Sequence, residues 1–483
     1  MNIEHVEKSY QELESDSTLQ NLIAQANARY ILYNTEESKE NFPRYTIKDE
    51  QLNILAFKYL NIGCNYFSEH NYLKASHSLE KGALILEYIH GSIHIQTKNK
   101  KLFCLISALS YYVCFQYSKA FILIGKLESD TMISSLVSLF LNRKFDQLLS
   151  EIDKLITNSS YGDEYLAEHF EEDNSTKIYE IIIAKSLNYY VQFYQTGNKD
   201  FLEIAKKDLV NLQEVAAMRG EPDVWWVIRL LLLIIDGFKE SSLWYVLGNY
   251  FNTEDKLPLK YIQSLVYKNS SITELFLTQR NSLPKVLNNK QGSIVSIPTS
   301  SGKTRIGEIA ILNCLLNEPK AKILFIAPYR SLAYEIENSF DEIFSNLDVS
   351  VSHLYGGSLF SKLDERIIDE SSVIVATPEK AKALFRSNED ILSCIKLVII
   401  DEGHLLGTDK RLIVNEMFYE ELKYHVKANG GRFLLLSAVL PNAEDLSEWL
   451  TDSTDNVYKE NWRPSDERIG IMEWNGSFCS NLN

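Results

Sequence analysis

The residues with the most specific chemistry run from Ile294 to Thr304: Ile294-Val-Ser-Ile-Pro298-Thr299-Ser300-Ser301-Gly302-Lys303-Thr304. An apolar stretch enters a loop of small side chains, and Gly-Lys-Thr then opens a helical pattern over 305–316. Small side chains let backbone N–H groups close around phosphate oxygens, and a helix N-terminus adds positive potential there. In such a loop Pro298, Thr299, Ser300, Ser301 and Gly302 form the cradle. Lys303 reaches the β- and γ-phosphates, and the Thr304 hydroxyl ligates Mg2+. The pattern usually opens with a glycine five positions before Gly302; Ile297 stands there instead. The spacing implies a nucleoside triphosphate with its metal, ATP and Mg2+.

A second group of residues fits the same chemistry. Lys396-Leu-Val-Ile-Ile400 is nearly continuously apolar, as a central parallel strand is, and it ends in Asp401-Glu402-Gly403-His404. In an open parallel sheet, ligands sit at the carboxyl ends of the strands. The strand ending at Ile297 and the strand ending at Ile400 then aim their loops at one place. Asp401 is expected to hold Mg2+ jointly with Thr304, and Glu402 to orient and deprotonate an attacking water. Two acids directly after a buried strand are costly to desolvate unless a cation meets them.

The elements that must position these residues follow from the pattern around them. After Pro258, strand-like runs at 293–297, 322–327, 349–354, 372–376, 396–400 and 432–437 alternate with helical patterns at 305–316, 330–344, 361–369, 412–425 and 443–450. That alternation specifies a parallel sheet covered by helices on both faces. Before Pro258 the chain has only Pro43 and Pro222, and apolar residues recur at helical spacing, as in Leu105, Leu109, Tyr112 and Phe115. This part reads as an all-helical domain. Tyr59, Gly63, Tyr66, Ala75 and Leu79 have the offsets of a tetratricopeptide-type helix pair, and Ala108, Tyr111 and Ala120 echo them without a regular period. The expected division is a helical domain over 1–257, an α/β lobe over 258–464, and a short remainder over 465–483.

Composition narrows the function classes. A net charge of −16 argues against a surface that binds nucleic acid everywhere, but not against a local track. Cys64, Cys104, Cys114, Cys314, Cys394 and Cys479 form no Cys-x-x-Cys pair, so neither a zinc site nor a disulfide framework is indicated. His90 and His94 share a helical spacing but have no third ligand nearby. Trp225, Trp226 and Trp244 flank an apolar helical run and read as core. The N-terminus is polar, and the most apolar run, 225–235, is too short for a bilayer and contains Arg229. A cytoplasmic protein without membrane partners is expected.

With these motifs in order, residues from about 275 to 474 resemble superfamily 2 helicases of the DEAD/DEAH type. Pro298-Thr-Ser-Ser-Gly-Lys-Thr304 is similar to motif I, Ala327-Pro-Tyr-Arg330-Ser-Leu-Ala333 to motif Ia, and Asp401-Glu-Gly-His404 to motif II. Ser437-Ala438-Val439 stands where the family has Ser-Ala-Thr. The resemblance implies a RecA-like fold and binding of a nucleic-acid backbone by Arg330, Gly356, Gly357, Thr377, Pro378 and Lys380. It also implies coupling through His404, Ser437 and Ala438, and adenine recognition by Gln279. Arg330 and the Thr377–Lys380 segment are placed on loops after strands. Thr377-Pro-Glu-Lys380 and Trp462-Arg463-Pro464 look most like the Ski-type branch, and the helical domain before the lobe is similar to Hachiman-type anti-phage helicases.

The family needs a second RecA-like lobe with an arginine finger. Arg468-Ile-Gly-Ile-Met-Glu-Trp474 resembles its start. The resemblance therefore implies weak hydrolysis by this chain unless that lobe is supplied in trans. DNA is favoured weakly over RNA, and the helical domain is a candidate protein-binding surface. An alternative class is an ATP-switched helical scaffold that binds a protein without moving a strand. It would show partner binding that depends on nucleotide, and hydrolysis that nucleic acid does not stimulate.

Overall fold

The computed structural model of the chain describes residues 3–34, 49–91, 100–127, 131–158, 172–354, 362–387, 390–403, 410–438 and 440–463. Gly356, Gly357, His404 and Val439 lie outside the described residues, as do His94 and positions 464–483.

Helices fill the described part of the first half, as its apolar spacing requires. The helix Asp49–Ser68 pairs with Tyr72–His90, and Lys100–Val113 packs on the second of these. The small residues explain the close approach. A Cβ on Gly63 would meet Leu79 Cγ at 2.5 Å, and one on Gly82 would meet Leu60 Cδ2 at 2.7 Å. Ser78 Oγ donates to the Tyr59 carbonyl at 2.8 Å, which fixes the register of the pair. Trp244 is buried, and its Nε1 donates to the Tyr194 carbonyl at 2.8 Å, so it belongs to the core.

Among the described residues, the second half builds a parallel sheet of seven strands. They are β1 Gly292–Ser296, β2 Lys322–Ile326, β3 Val351–Leu354, β4 Val373–Ala376, β5 Ile395–Ile400, β6 Arg432–Ser437 and β7 Val457–Lys459. The spatial order is β3-β4-β2-β5-β6-β1-β7. The chain is thus an all-α part followed by an α/β RecA-like part. β1 to β6 fall within two residues of the expected runs. β7 was not anticipated; three residues at a sheet edge carry too little alternation to register.

Strand side chains alternate between two cores, as the pleat dictates. Val295, Ile323, Phe325, Leu397, Ile399 and Leu434 join one cluster that continues without a break into the helical half. Ile294, Leu324, Ile374, Val398, Phe433 and Leu435 join a smaller cluster with Phe418, Leu422 and Leu450 on the other face. The helix Lys256–Val266 carries the expected division at 258 in its first turn and packs against the sheet side. Its Tyr261 hydroxyl donates to Glu308 Oε2 at 3.1 Å, and Arg305 pairs with the same oxygen. Both contacts anchor the helix Lys303–Asn317, which starts at the phosphate loop.

Candidate nucleotide site

β1 delivers the loop. The Ile297 N–H donates to the Ser437 carbonyl at 3.1 Å, so the loop leaves the sheet beside the end of β6. Ser300 and Gly302 then take left-handed conformations, with φ of 67° and 80°. At Gly302 the left-handed conformation favours glycine, and a Cβ would meet Gln279 Nε2 at 2.0 Å and displace that amide. Ser301 is fully buried, and its hydroxyl donates to the Trp462 carbonyl at 3.4 Å. Lys303 opens the helix Lys303–Asn317, whose N-cap Gly302 supplies no side-chain cap, and the Arg305 N–H turns back to the Gly302 carbonyl at 3.2 Å.

β5 delivers the acids. The Asp401 N–H donates to the Ile326 carbonyl at 2.9 Å, and Asp401 is only 9% exposed. Burial, reinforced by the neighbouring Glu402 carboxylate and opposed by Lys303, pushes the Asp401 carboxyl up to about 6. Glu402 has a left-handed φ of 52°, and its N–H donates to Asp401 Oδ1 at 3.0 Å. Its carboxylate meets Lys303 Nζ at 3.0 and 3.1 Å. The structure therefore brings Lys303 and Glu402 together directly, from positions 99 residues apart. Gly403 lies against Leu435, where a Cβ would come within 2.6 Å.

The residues fit a hard divalent cation. Asp401 is a buried carboxylate with a neighbouring negative charge, and Thr304 follows Lys303, whose ammonium meets Glu402, in the first turn of the helix Lys303–Asn317. Among the described residues, no group of three or more His, Cys, Asp or Glu could hold a metal. A cation here would be held by one carboxylate, one hydroxyl and ligand oxygens, which is how Mg2+ is commonly bound beside phosphates.

Gln279 lies on the helix Leu277–Leu287 and is buried. Its Oε1 accepts the Phe276 N–H at 2.8 Å, and its Nε2 donates to the Gly302 carbonyl at 3.0 Å. It therefore touches the phosphate loop itself. Thr278 Oγ1 adds a bond to the Ser301 carbonyl at 3.3 Å.

Arg330 is the exposed first residue of the helix Arg330–Phe344, the helical pattern expected over 330–344. One placement differs from expectation: Pro378 opens the helix Pro378–Ser387 and does not lie on a loop. Thr377 Oγ1 accepts the Lys380 N–H at 3.4 Å, and both residues are buried. A threonine held extended before proline, with proline at the first helical position, is a helix start, so the sequence did contain this signal.

Ser437 ends β6, and Ala438 follows it. Their link to β1 runs through a residue that the sequence reading passed over. The Ser296 hydroxyl donates to the Ala438 carbonyl at 3.3 Å and accepts the Leu440 N–H at 2.9 Å. A serine at the inner end of a buried apolar strand was the available clue. Trp462, part of the family resemblance, also packs beside the site, its ring centroid 6.1 Å from that of Phe276.

Residues 277–446 match the DEAD/DEAH box helicase family. The chain is 41% identical to the Hachiman protein HamB of Bacillus cereus, over 98% of this chain and 42% of that protein. It is 33% identical to the ATP-dependent DNA helicase Hel308 of Thermococcus kodakarensis, over 45% of this chain and 18% of that protein. The chain thus spans less than half the length of either relative. Among solved structures, the DUF1998 helicase MrfA bound to DNA is similar at 19% identity and a TM-score of 0.36, over 41% of this chain and 29% of that one.

Proposed function

From a chain that carries a DEAD/DEAH box helicase domain over residues 277–446 and resembles HamB along 98% of its length, we propose an ATP-dependent nucleic-acid helicase or translocase acting in anti-phage defence. The observation that carries this reading is the meeting of Lys303, Glu402 and buried Asp401 at the ends of β1 and β5.

In this reading the Ser300–Gly302 turn presents backbone N–H groups to phosphate oxygens, and Lys303 leaves Glu402 to face the β- and γ-phosphates. Thr304 and Asp401 would hold Mg2+, which supplies charge neutralisation between the phosphates when bound. Released from Lys303, Glu402 accepts a proton from the attacking water. Gln279 selects adenine from its place beside Gly302. Arg330, with the Gly356-Gly357 and Thr377-Pro378-Lys380 segments, holds a strand through its phosphates, without reading sequence. His404, Ser437 and Ala438 relay strand binding to the phosphate loop. DNA is the preferred strand, in keeping with the DNA helicase named among the relatives. The helical half serves as a surface for a protein partner.

Stabilisation of the transferring phosphoryl group usually calls for an arginine from a facing lobe, worth roughly 10³–10⁵ in rate. A polypeptide of residues 1–483 is therefore expected to bind ATP and hydrolyse it slowly, and a second RecA-like lobe added in trans to raise turnover. The test is calorimetric ATP binding, followed by hydrolysis with and without single- and double-stranded DNA and RNA. Lys303→Ala should abolish nucleotide binding. Wild-type affinity in that variant refutes the site assignment.

A further inference from the structure

The segment that carries the chain from the helical half to Gln279 is fastened by one carboxylate. The Glu274 side chain is only 2% exposed and pairs with Arg143 Nη2 at 2.8 Å. The Tyr112 hydroxyl donates to the same oxygen, Oε2, in a short hydrogen bond. The Tyr117 and Ser241 hydroxyls donate to Oε1 at 3.1 and 2.8 Å. Burial holds both tyrosine hydroxyls well above their usual range, so they stay protonated donors. Backbone bonds flank the carboxylate: Leu243 N–H to Thr273 O at 3.0 Å, and Leu275 N–H to Ser241 O at 2.8 Å.

The connection continues into the nucleotide site. Phe276 stacks on Tyr117 with ring centroids 6.2 Å apart. The Phe276 N–H is bound to Gln279, and Gln279 is bound to Gly302. From Arg143 to the phosphate loop, the links are thus a charged hydrogen bond, two residues of chain, and two amide hydrogen bonds. A well-packed apolar residue would bury this place at least as cheaply as an ion pair. What the ion pair adds is register, since a slide of the segment over 271–276 would break four bonds to one group at once.

We propose that Glu274 is a positioning residue for the nucleotide site. It clamps the segment over 271–276 to the helical half and so sets the Gln279 amide against Gly302. The helical half thereby governs adenine selection. This rests on the reading of the Lys303 loop as an ATP site, but the clamp itself is testable without nucleotide.

Two variants are needed. Glu274→Gln removes the charge. Tyr117→Phe combined with Ser241→Ala removes two donors and leaves no charge unpaired. Hydrogen exchange followed by mass spectrometry should show the peptides covering 276–287 and 298–304 exchanging about tenfold faster in either variant, the ratio set by about 1.4 kcal/mol of lost local stability. Peptides from β2 and β4 should keep their rates. The ratio of GTP to ATP dissociation constants should fall toward that of Gln279→Ala. If Glu274→Gln unfolds, every peptide changes at once, and the hydroxyl variant decides. Wild-type exchange over 276–304 in a folded variant overturns the proposal. A wild-type protein that binds no ATP overturns the proposed function instead, while the exchange rates still decide the clamp.

Discussion

Glu274 and Asp401 are both carboxylates taken out of water, and the protein surrounds them differently. Glu274 receives two tyrosine hydroxyls, a serine hydroxyl and a guanidinium. Its lone pairs are filled, and it has nothing left for a ligand. Asp401 receives the N–H of Glu402, and it sits next to that residue's negative charge. The first acid holds two parts of the chain in one register. The second keeps unmet charge in a place where a cation would relieve it. Burial alone does not separate structural acids from functional ones; the donors around them do.

Mutating each acid tests the contrast. The largest effect should come from Glu274→Ala, which leaves the half-buried Arg143 guanidinium without its carboxylate and empties a fully buried place. A loss of about 3–5 kcal/mol is expected from urea denaturation. Asp401→Ala should show no comparable loss, and equal losses would erase the distinction.

Next in size is Asp401→Asn. The folded carboxyl titrates at about 6 against a reference of 3.8, so above pH 6 the wild type carries the full penalty of a buried charge. The variant should be more stable than wild type by up to about 3 kcal/mol at pH 8. That advantage should shrink as pH falls through 6 and vanish below about pH 4, where the acid is protonated in both states. An advantage that does not change with pH would mean that charge burial is not its cause.

Glu402→Gln frees Lys303 from its carboxylate. ATP binding should tighten about fivefold, from about 1 kcal/mol of lost competition, while hydrolysis disappears. Weaker binding measured by calorimetry would show that the pair prepares the lysine and does not compete for it. The smallest effect should come from a third kind of acid. Asp348 is exposed and meets Lys256 and Lys260 at 3.2 and 3.0 Å. Asp348→Asn, which keeps a residue type that tolerates the left-handed φ of 60° there, should leave the denaturation midpoint unchanged, because water and salt screen such contacts.

The sequence was legible where local pattern and chemistry coincide. Asp401 and Glu402 directly follow a buried strand, Lys303 opens a helix after a loop of small residues, and β1 to β6 announce themselves as apolar runs. The helix at Pro378 departs from the expected loop, although its start signal, a threonine before a proline, stands in the sequence. The Glu274 cluster was not legible. Its partners Tyr112 and Arg143 lie 162 and 131 residues away, and none of the four donors is of a type unusual in a helical domain. Nor could pattern place Gln279 on the Gly302 carbonyl, which depends on how the helix Leu277–Leu287 docks beside the loop. Contacts made by folding, between residues that are ordinary one by one, leave no trace in spacing.

The Lys303–Glu402 contact also has a consequence in time. With the ammonium and the carboxylate 3.0 Å apart, an arriving phosphate cannot simply occupy the lysine; the pair must first part. Capture is then expected to be a two-step event, with an opening whose rate does not depend on how much nucleotide is present. In rapid-mixing measurements the observed rate should climb with ATP concentration and then level off. In Glu402→Gln the plateau should disappear and the rate should rise linearly. A linear rise in the wild type would mean that the pair opens faster than ATP arrives. The same contact would hold the water-activating base idle until a triphosphate is present.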